Sequence, residues 1–183
     1  MWASKLTDLS KTDVDGLGNL RDDARGNQYR FVKNVGSTAL VANGSCLAKL
    51  GKTTAASLNQ SVLSPDAATG PTTALISVPA GVPMAGIAAS GADTGDHGWI
   101  MVQGYKRVSH VPISTAVDQQ AGCRAVGTSS MPATYPWGQA VTSVPYPATE
   151  VITFGRHIEI AAAPTAVTPA TAASALVRVR CLP

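Results

Sequence analysis

Charge is scarce in this chain: Asp, Glu, Lys and Arg make up 14% of its 183 residues, against about 25% in ordinary soluble domains. Hydrophobic content is ordinary at 45%, so Ala, Thr, Ser, Gly and Pro stand where charge would be. That combination excludes the disordered class, which pairs few apolar residues with high charge. It makes a poor surface for a free monomer and a serviceable one for a subunit that becomes covered. Net charge is only +3, and Lys106-Arg107 with Arg178 and Arg180 are the local basic concentrations. A nucleic-acid binder needs a longer basic stripe, so no nucleic-acid partner is expected. No apolar run approaches the ~20 residues of a membrane helix. Met1-Trp2-Ala3-Ser4-Lys5-Leu6 runs into Asp8, Asp13 and Asp15 rather than into the apolar core of a leader. Cytoplasmic synthesis and no membrane partner are the expectation.

Cysteine and histidine are also few, three of each. Cys46, Cys123 and Cys181 are dispersed, without Cys-x-x-Cys spacing, which argues against a dense disulfide framework. Small buried apolar side chains are expected, although a bridge between strands distant in sequence stays open. His97, His110 and His157 have no ligand partner at the short spacing of a zinc site. Asp93-Thr94-Gly95 matches the aspartic-protease triplet, but Ser90-Gly91-Ala92 precedes it instead of an apolar strand, and no second copy exists. A polar turn is the reading. Asp93 and Asp96 supply too few oxygens for a hard cation. Ser109-His110 lacks the Gly-x-Ser-x-Gly elbow of a hydrolase. Gly91, Gly95 and Gly98 lack the helix and lysine of a phosphate loop. A non-enzymatic protein with no cofactor and no metal follows as the expectation.

Short strand-like runs are what the chain does have. Residues 1–27 read as an extended N-terminal arm: Leu6, Leu9, Val14, Leu17 and Leu20 are irregularly spaced, and Gly16, Gly18 and Gly26 interrupt any helix. Such a segment should lie across its own domain or a neighbouring subunit. From Gln28 the pattern turns to β: Tyr29, Phe31 and Lys33 on one face, Arg30 and Val32 on the other. Asn43-Gly44 predicts a hairpin joining strands over 38–42 and 46–50. A strand over 73–78, a turn at Pro79-Ala80-Gly81-Val82-Pro83 and a strand over 84–88 come next. A long turn over 90–98 leads to a half-buried or sandwiched strand at 99–103 and another at 106–111. Further strands are expected over 122–126, 151–154, 157–161 and at the C-terminus. There Val177, Val179 and Cys181 share one face, and Leu176, Arg178 and Arg180 the other.

Between these lie a Pro-rich excursion over 131–147, an ordered loop or a sheet edge because proline cannot donate ladder hydrogen bonds, and an Ala/Thr/Pro loop over 162–174. Many short strands at such spacing predict an all-β fold, a single small β-barrel or sandwich spanning 28–183. Aromatic anchors dominate contact surfaces. The expected protein-interaction residues are therefore Trp2, Leu6 and Leu17 of the arm and Tyr135, Trp137 and Tyr146 of the excursion, while Trp99 belongs to the core.

The order of motifs resembles that of small β-barrel decoration (cement, head-stabilisation) proteins of tailed bacteriophages. The resemblance spans about residues 26–183. It rests on Gly26-Asn27-Gln28-Tyr29-Arg30-Phe31-Val32-Lys33 after a polar arm, and on Val82-Pro83-Met84-Ala85-Gly86-Ile87-Ala88 before Gly98-Trp99. Ala121-Gly122-Cys123, then Phe154-Gly155-Arg156-His157-Ile158-Glu159-Ile160, and a closing Val-Arg-Val strand complete it; the Pro-rich excursion reads as an insertion. The resemblance implies a virion protein on the outer surface of the expanded capsid, bound to the major capsid protein, commonly as a homotrimer. A tail, neck or baseplate component would share the same composition. So would a virion-displayed carbohydrate-binding module with Trp137 and Tyr135 as its stacking platform.

Overall fold

In the computed structural model, residues 3–48, 60–64, 79–110, 122–125, 132–135, 155–157 and 173–181 are described. They form β1 (Leu20–Asp22), β2 (Gln28–Asn34), β3 (Cys46–Ala48), β4 (Ser61–Leu63), β5 (Pro79–Pro83), β6 (His97–His110), β7 (Gly122–Ala125), β8 (Pro132–Tyr135), β9 (Gly155–His157) and β10 (Ala173–Arg180). No helix occurs among the described residues, so the fold is all-β. The strands make one sheet in the order β1-β2-β4-β3-β5-β6-β10-β9-β7-β8. All pairings are antiparallel except β2 with β4. β2 also pairs directly with β6, from Gln28↔Gln103 to Lys33↔His97. The sheet therefore curls until β2 and β6 meet, and among the described residues it runs on to edges at β1 and β8.

β2 and β6 carry the core. Tyr29, Phe31 and Val32 of β2 are buried together with Trp99, Ile100, Met101 and Val102 of β6. Successive strand residues point to opposite faces, so both faces of each strand are covered. The run at 99–102 is thus sandwiched rather than half-buried. Val62, Val82, Ile87 and Leu40 close the same cluster. On β10 the expected alternation holds: Val177, Val179 and Cys181 are buried, while Arg178 and Arg180 are exposed.

Several local expectations give way to longer-range pairing. The Asn43-Gly44 turn forms, with Asn43 at φ 60, but it joins no hairpin. The Leu40 N–H donates to the Ile87 carbonyl and the Asn43 N–H to the Pro83 carbonyl, while β3 pairs with β4 and β5. Pro79–Pro83 is not a turn but a strand buried along its whole length. Its two prolines sit at its ends, where a missing N–H costs the ladder least. The strand expected over 84–88 is irregular, its Met84 N–H being taken by the Trp99 carbonyl. The strands expected at 99–103 and 106–111 are one 14-residue element, β6. Within it Gly104 has a φ of +136, which few other residues adopt. The Pro-rich excursion contains β8, at the sheet edge. β9 covers 155–157, between the strand expected over 151–154 and the one over 157–161, which it overlaps at His157. The other parts of these segments, and nearly all of the loop over 162–174, lie outside the described residues.

Candidate interaction surface

The arm is fastened to its own domain by polar contacts that reach the core. Asp15, buried, accepts hydrogen bonds from the Ala3 N–H (2.6 Å) and the Ser4 N–H (3.2 Å), and from the Ser4 hydroxyl. The Ser4 Oγ in turn accepts the indole N–H of Trp99 at 2.9 Å, and the Ser4 carbonyl accepts from Arg21 at 3.0 Å. The Arg21 guanidinium lies 5.9 Å from the centre of the Trp99 ring. A buried indole needs an acceptor; here the arm supplies it from 95 positions away. Further along, Ser10 and His97 exchange both backbone hydrogen bonds. Gly18 and Asn19 continue this by exchanging hydrogen bonds with Phe31, and β1 then pairs with β2.

This anchoring decides which arm residues remain available. Leu6 and Leu17, expected at an interface, are partly buried and packed against the core. Leu9, Val14 and Leu20 are the exposed large apolar residues of the arm, with Val41 and Tyr105 exposed elsewhere. Sequence spacing did not separate the two groups, because an irregular segment carries no period to assign a face. Trp2, Trp137 and Tyr146 lie outside the described residues, and of Tyr135 only the backbone, in β8, is described.

Beside the Ser10–His97 bridge sits a buried ionic cluster. Asp96 Oδ1 is 2.6 Å from His97 Nδ1 and Asp96 Oδ2 is 3.6 Å from Lys33 Nζ, with the Gly91 N–H donating to Oδ2 at 3.0 Å. Burial raises the Asp96 pKa, but the Gly91 hydrogen bond, His97 and Lys33 outweigh it and hold the carboxyl below its ordinary value. The His97 ring stacks on Phe31 at 6.2 Å. Asp96 and His97 are buried and Lys33 closes the cluster from its partly exposed side, which makes this a fastening beneath the 90–98 turn. Asp93 of that turn is exposed and paired only with Lys11, at 2.8 Å, as the turn reading requires. Among the described residues no three or more His, Cys, Asp or Glu side chains gather as metal ligands.

The turn joining β1 to β2 is built on Asp23. Its carboxylate accepts from the backbone N–H groups of Arg25 and Asn27, from the Asn27 amide and from the Tyr29 hydroxyl. Gly26, at φ +77, closes the turn. The Asn27 side-chain bond lowers the Asp23 pKa most; burial opposes it, and the remaining bonds bring the carboxyl to about 2. Since the folded pKa lies below the ordinary 3.8, the stabilisation is present above pH ~4 and is lost as pH falls towards ~2. Asp23→Asn should therefore lower the melting temperature at pH 6 and converge on the parent protein near pH 2. Equal melting curves at pH 6 would contradict this.

Cys46 and Cys181 are buried and form no disulfide. Burial raises the Cys46 thiol pKa well above the ordinary value, and that of Cys181 to about 12. Neither is poised to react while the sheet is closed; the Cys123 side chain lies outside the described residues.

No family model matches the chain, and no curated protein sequence does. Among solved structures, the N base of the head fiber gp8.5 of bacteriophage phi29 superposes with a TM-score of 0.37 at 9% identity, over 85% of this chain and 97% of that one. A superposition that loose carries no argument about what this chain does.

Proposed function

We propose that the chain is a non-enzymatic structural protein of a phage particle that binds the outer surface of the expanded capsid and stabilises it. The observation that carries this is the arm, pinned by buried hydrogen bonds yet turning Leu9, Val14 and Leu20 outward on a lightly charged chain. Such a surface loses little on being covered and gains from the burial of its apolar atoms. The motif resemblance supplies the partner: the major capsid protein, with copies of this chain assembled commonly as trimers.

The physics of such a role is mass action. A ligand that binds the expanded shell and not its precursor shifts the equilibrium towards the shell. Modest energy at each site is summed over many copies, and trimerisation adds avidity. Open edges such as β1 and β8 are an aggregation hazard that assembly would cover. The test mixes purified protein with expanded, undecorated capsids and measures co-sedimentation and the temperature at which the shell breaks. Binding with a raised breaking temperature is expected. Val14→Asp with Leu20→Asp should weaken binding by about 30-fold, the loss of roughly 1 kcal/mol at each half-exposed side chain. Protein left in the supernatant with an unchanged breaking temperature would overturn the reading.

A further inference from the structure

A groove of about 390 Å3 opens between the Asp23 turn and β6. Its lining divides sharply into groups already satisfied and groups with no partner. The groove carboxylate, Asp23, has both oxygens doubly occupied by Arg25, Asn27 and Tyr29. Each carboxylate oxygen offers about two acceptor sites, so Asp23 has none left for a ligand. The Asn27 amide is partly engaged, donating once to Asp23 and accepting the Tyr105 N–H at 3.3 Å. What remains are the Arg25 guanidinium and the Lys106 ammonium, neither ion-paired among the described residues, and the exposed Tyr105 ring. Lys106 is partly buried, and burial alone lowers its pKa. Met84 and Met101 line the groove beside them.

We propose that this groove binds an acidic peptide segment of a partner protein, its carboxylate held between Arg25 and Lys106 and a neighbouring apolar side chain laid against Met84 and Tyr105. Charge complementarity carries the assignment. The two cations are donors without acceptors, and a carboxylate is the acceptor-only group that matches them. A hydroxyl-rich sugar fits worse, because its donors would find no vacant acceptor in Asp23 and a single remaining lone pair on Asn27, and would lie over thioethers. Methionine and tyrosine suit an apolar side chain instead. The inference goes beyond the capsid reading, and its test uses no capsids, so either can fail alone.

The probe is the blocked pentapeptide Ser-Leu-Glu-Leu-Ser, titrated into isotope-labelled full chain and followed by amide NMR shifts. The expected result is saturable shifts at Arg25, Tyr105 and Lys106 in the millimolar range. The same peptide with Gln for Glu should bind at least about 5-fold more weakly, and Lys106→Gln should cost the parent peptide about as much. Raised salt should weaken the contact. Three results would each overturn the proposal: no shifts at the groove, equal binding of the Gln peptide, or glucuronate binding there as tightly as the Glu peptide. The peptide substitution leaves the protein unaltered, so the test survives any misfolding of the variant.

Discussion

Trp99→Ala should destabilise the fold by about 3–5 kcal/mol, the usual cost of emptying a large aromatic site. Trp99 is 1% exposed, its ring lies 5.2 Å from that of Phe31, and its N–H is the group the arm satisfies through Ser4. Trp99→Phe retains most of the packing and loses the hydrogen bond; it should cost about 1–3 kcal/mol, as should Ser4→Ala, which strands the indole N–H. If the arm is an integral part of the domain, Trp99→Phe and Ser4→Ala will be non-additive by about 0.5 kcal/mol or more. Urea unfolding of the parent, the three single variants and the double variant measures all of this. A loss below ~1 kcal/mol for Trp99→Ala, or strict additivity in the cycle, would show that the arm merely rests on the sheet.

Gly81→Ala should be nearly as damaging for a different reason, at about 3 kcal/mol. A Cβ on Gly81 would stand 2.5 Å from the Met101 carbonyl oxygen and 3.0 Å from Ile100 Cδ1. The isoleucine tip can turn aside. The carbonyl cannot, because Met101 is paired with Val82 on one side and Tyr29 on the other, so relief would require β5 to leave β6. Gly26→Ala is the informative control. Its φ is +77 but nothing lies within 4 Å, so only the backbone cost of about 1 kcal/mol applies. If both alanines cost the same in thermal or urea unfolding, close approach is not what position 81 requires.

These two cases show how far the sequence alone could be read. Alternation in Val177–Cys181 marks a real strand, because a pleated strand imposes period two on a chain with one buried face, whereas Tyr29–Val32 reads as a strand through its aromatic and β-branched residues and is buried on both faces. The Asn43 turn was legible for the same local reason, since its positive φ is a property of the residue. What followed the turn was not, because pairing β3 with β5 depends on residues some 35 positions away. Pro79–Pro83 misleads similarly: proline reads as a breaker in isolation, and only the partners Leu47 and Ile100 show that both prolines cap a buried strand. The arm's outward residues were hidden by irregular spacing. The Asp23 turn had a signal in Asp23-Ala24-Arg25-Gly26, an acid that caps backbone N–H groups ahead of a glycine that tolerates positive φ. The groove's cations, Arg25 and Lys106, are 81 positions apart and meet only through the β2–β6 pairing.

β6 is joined by Ser10, by β2, by β5 and by β10, partners drawn from almost the whole length of the chain. During translation at roughly 5–20 residues per second, Ser4 emerges at least about 5 seconds before the indole it will satisfy. β10 follows later still. Nascent chains must therefore wait on the ribosome with Leu6, Leu17, Phe31 and Val32 uncovered and β2 paired with no strand beyond β1, which makes that interval the one in which a chaperone has apolar chain to hold.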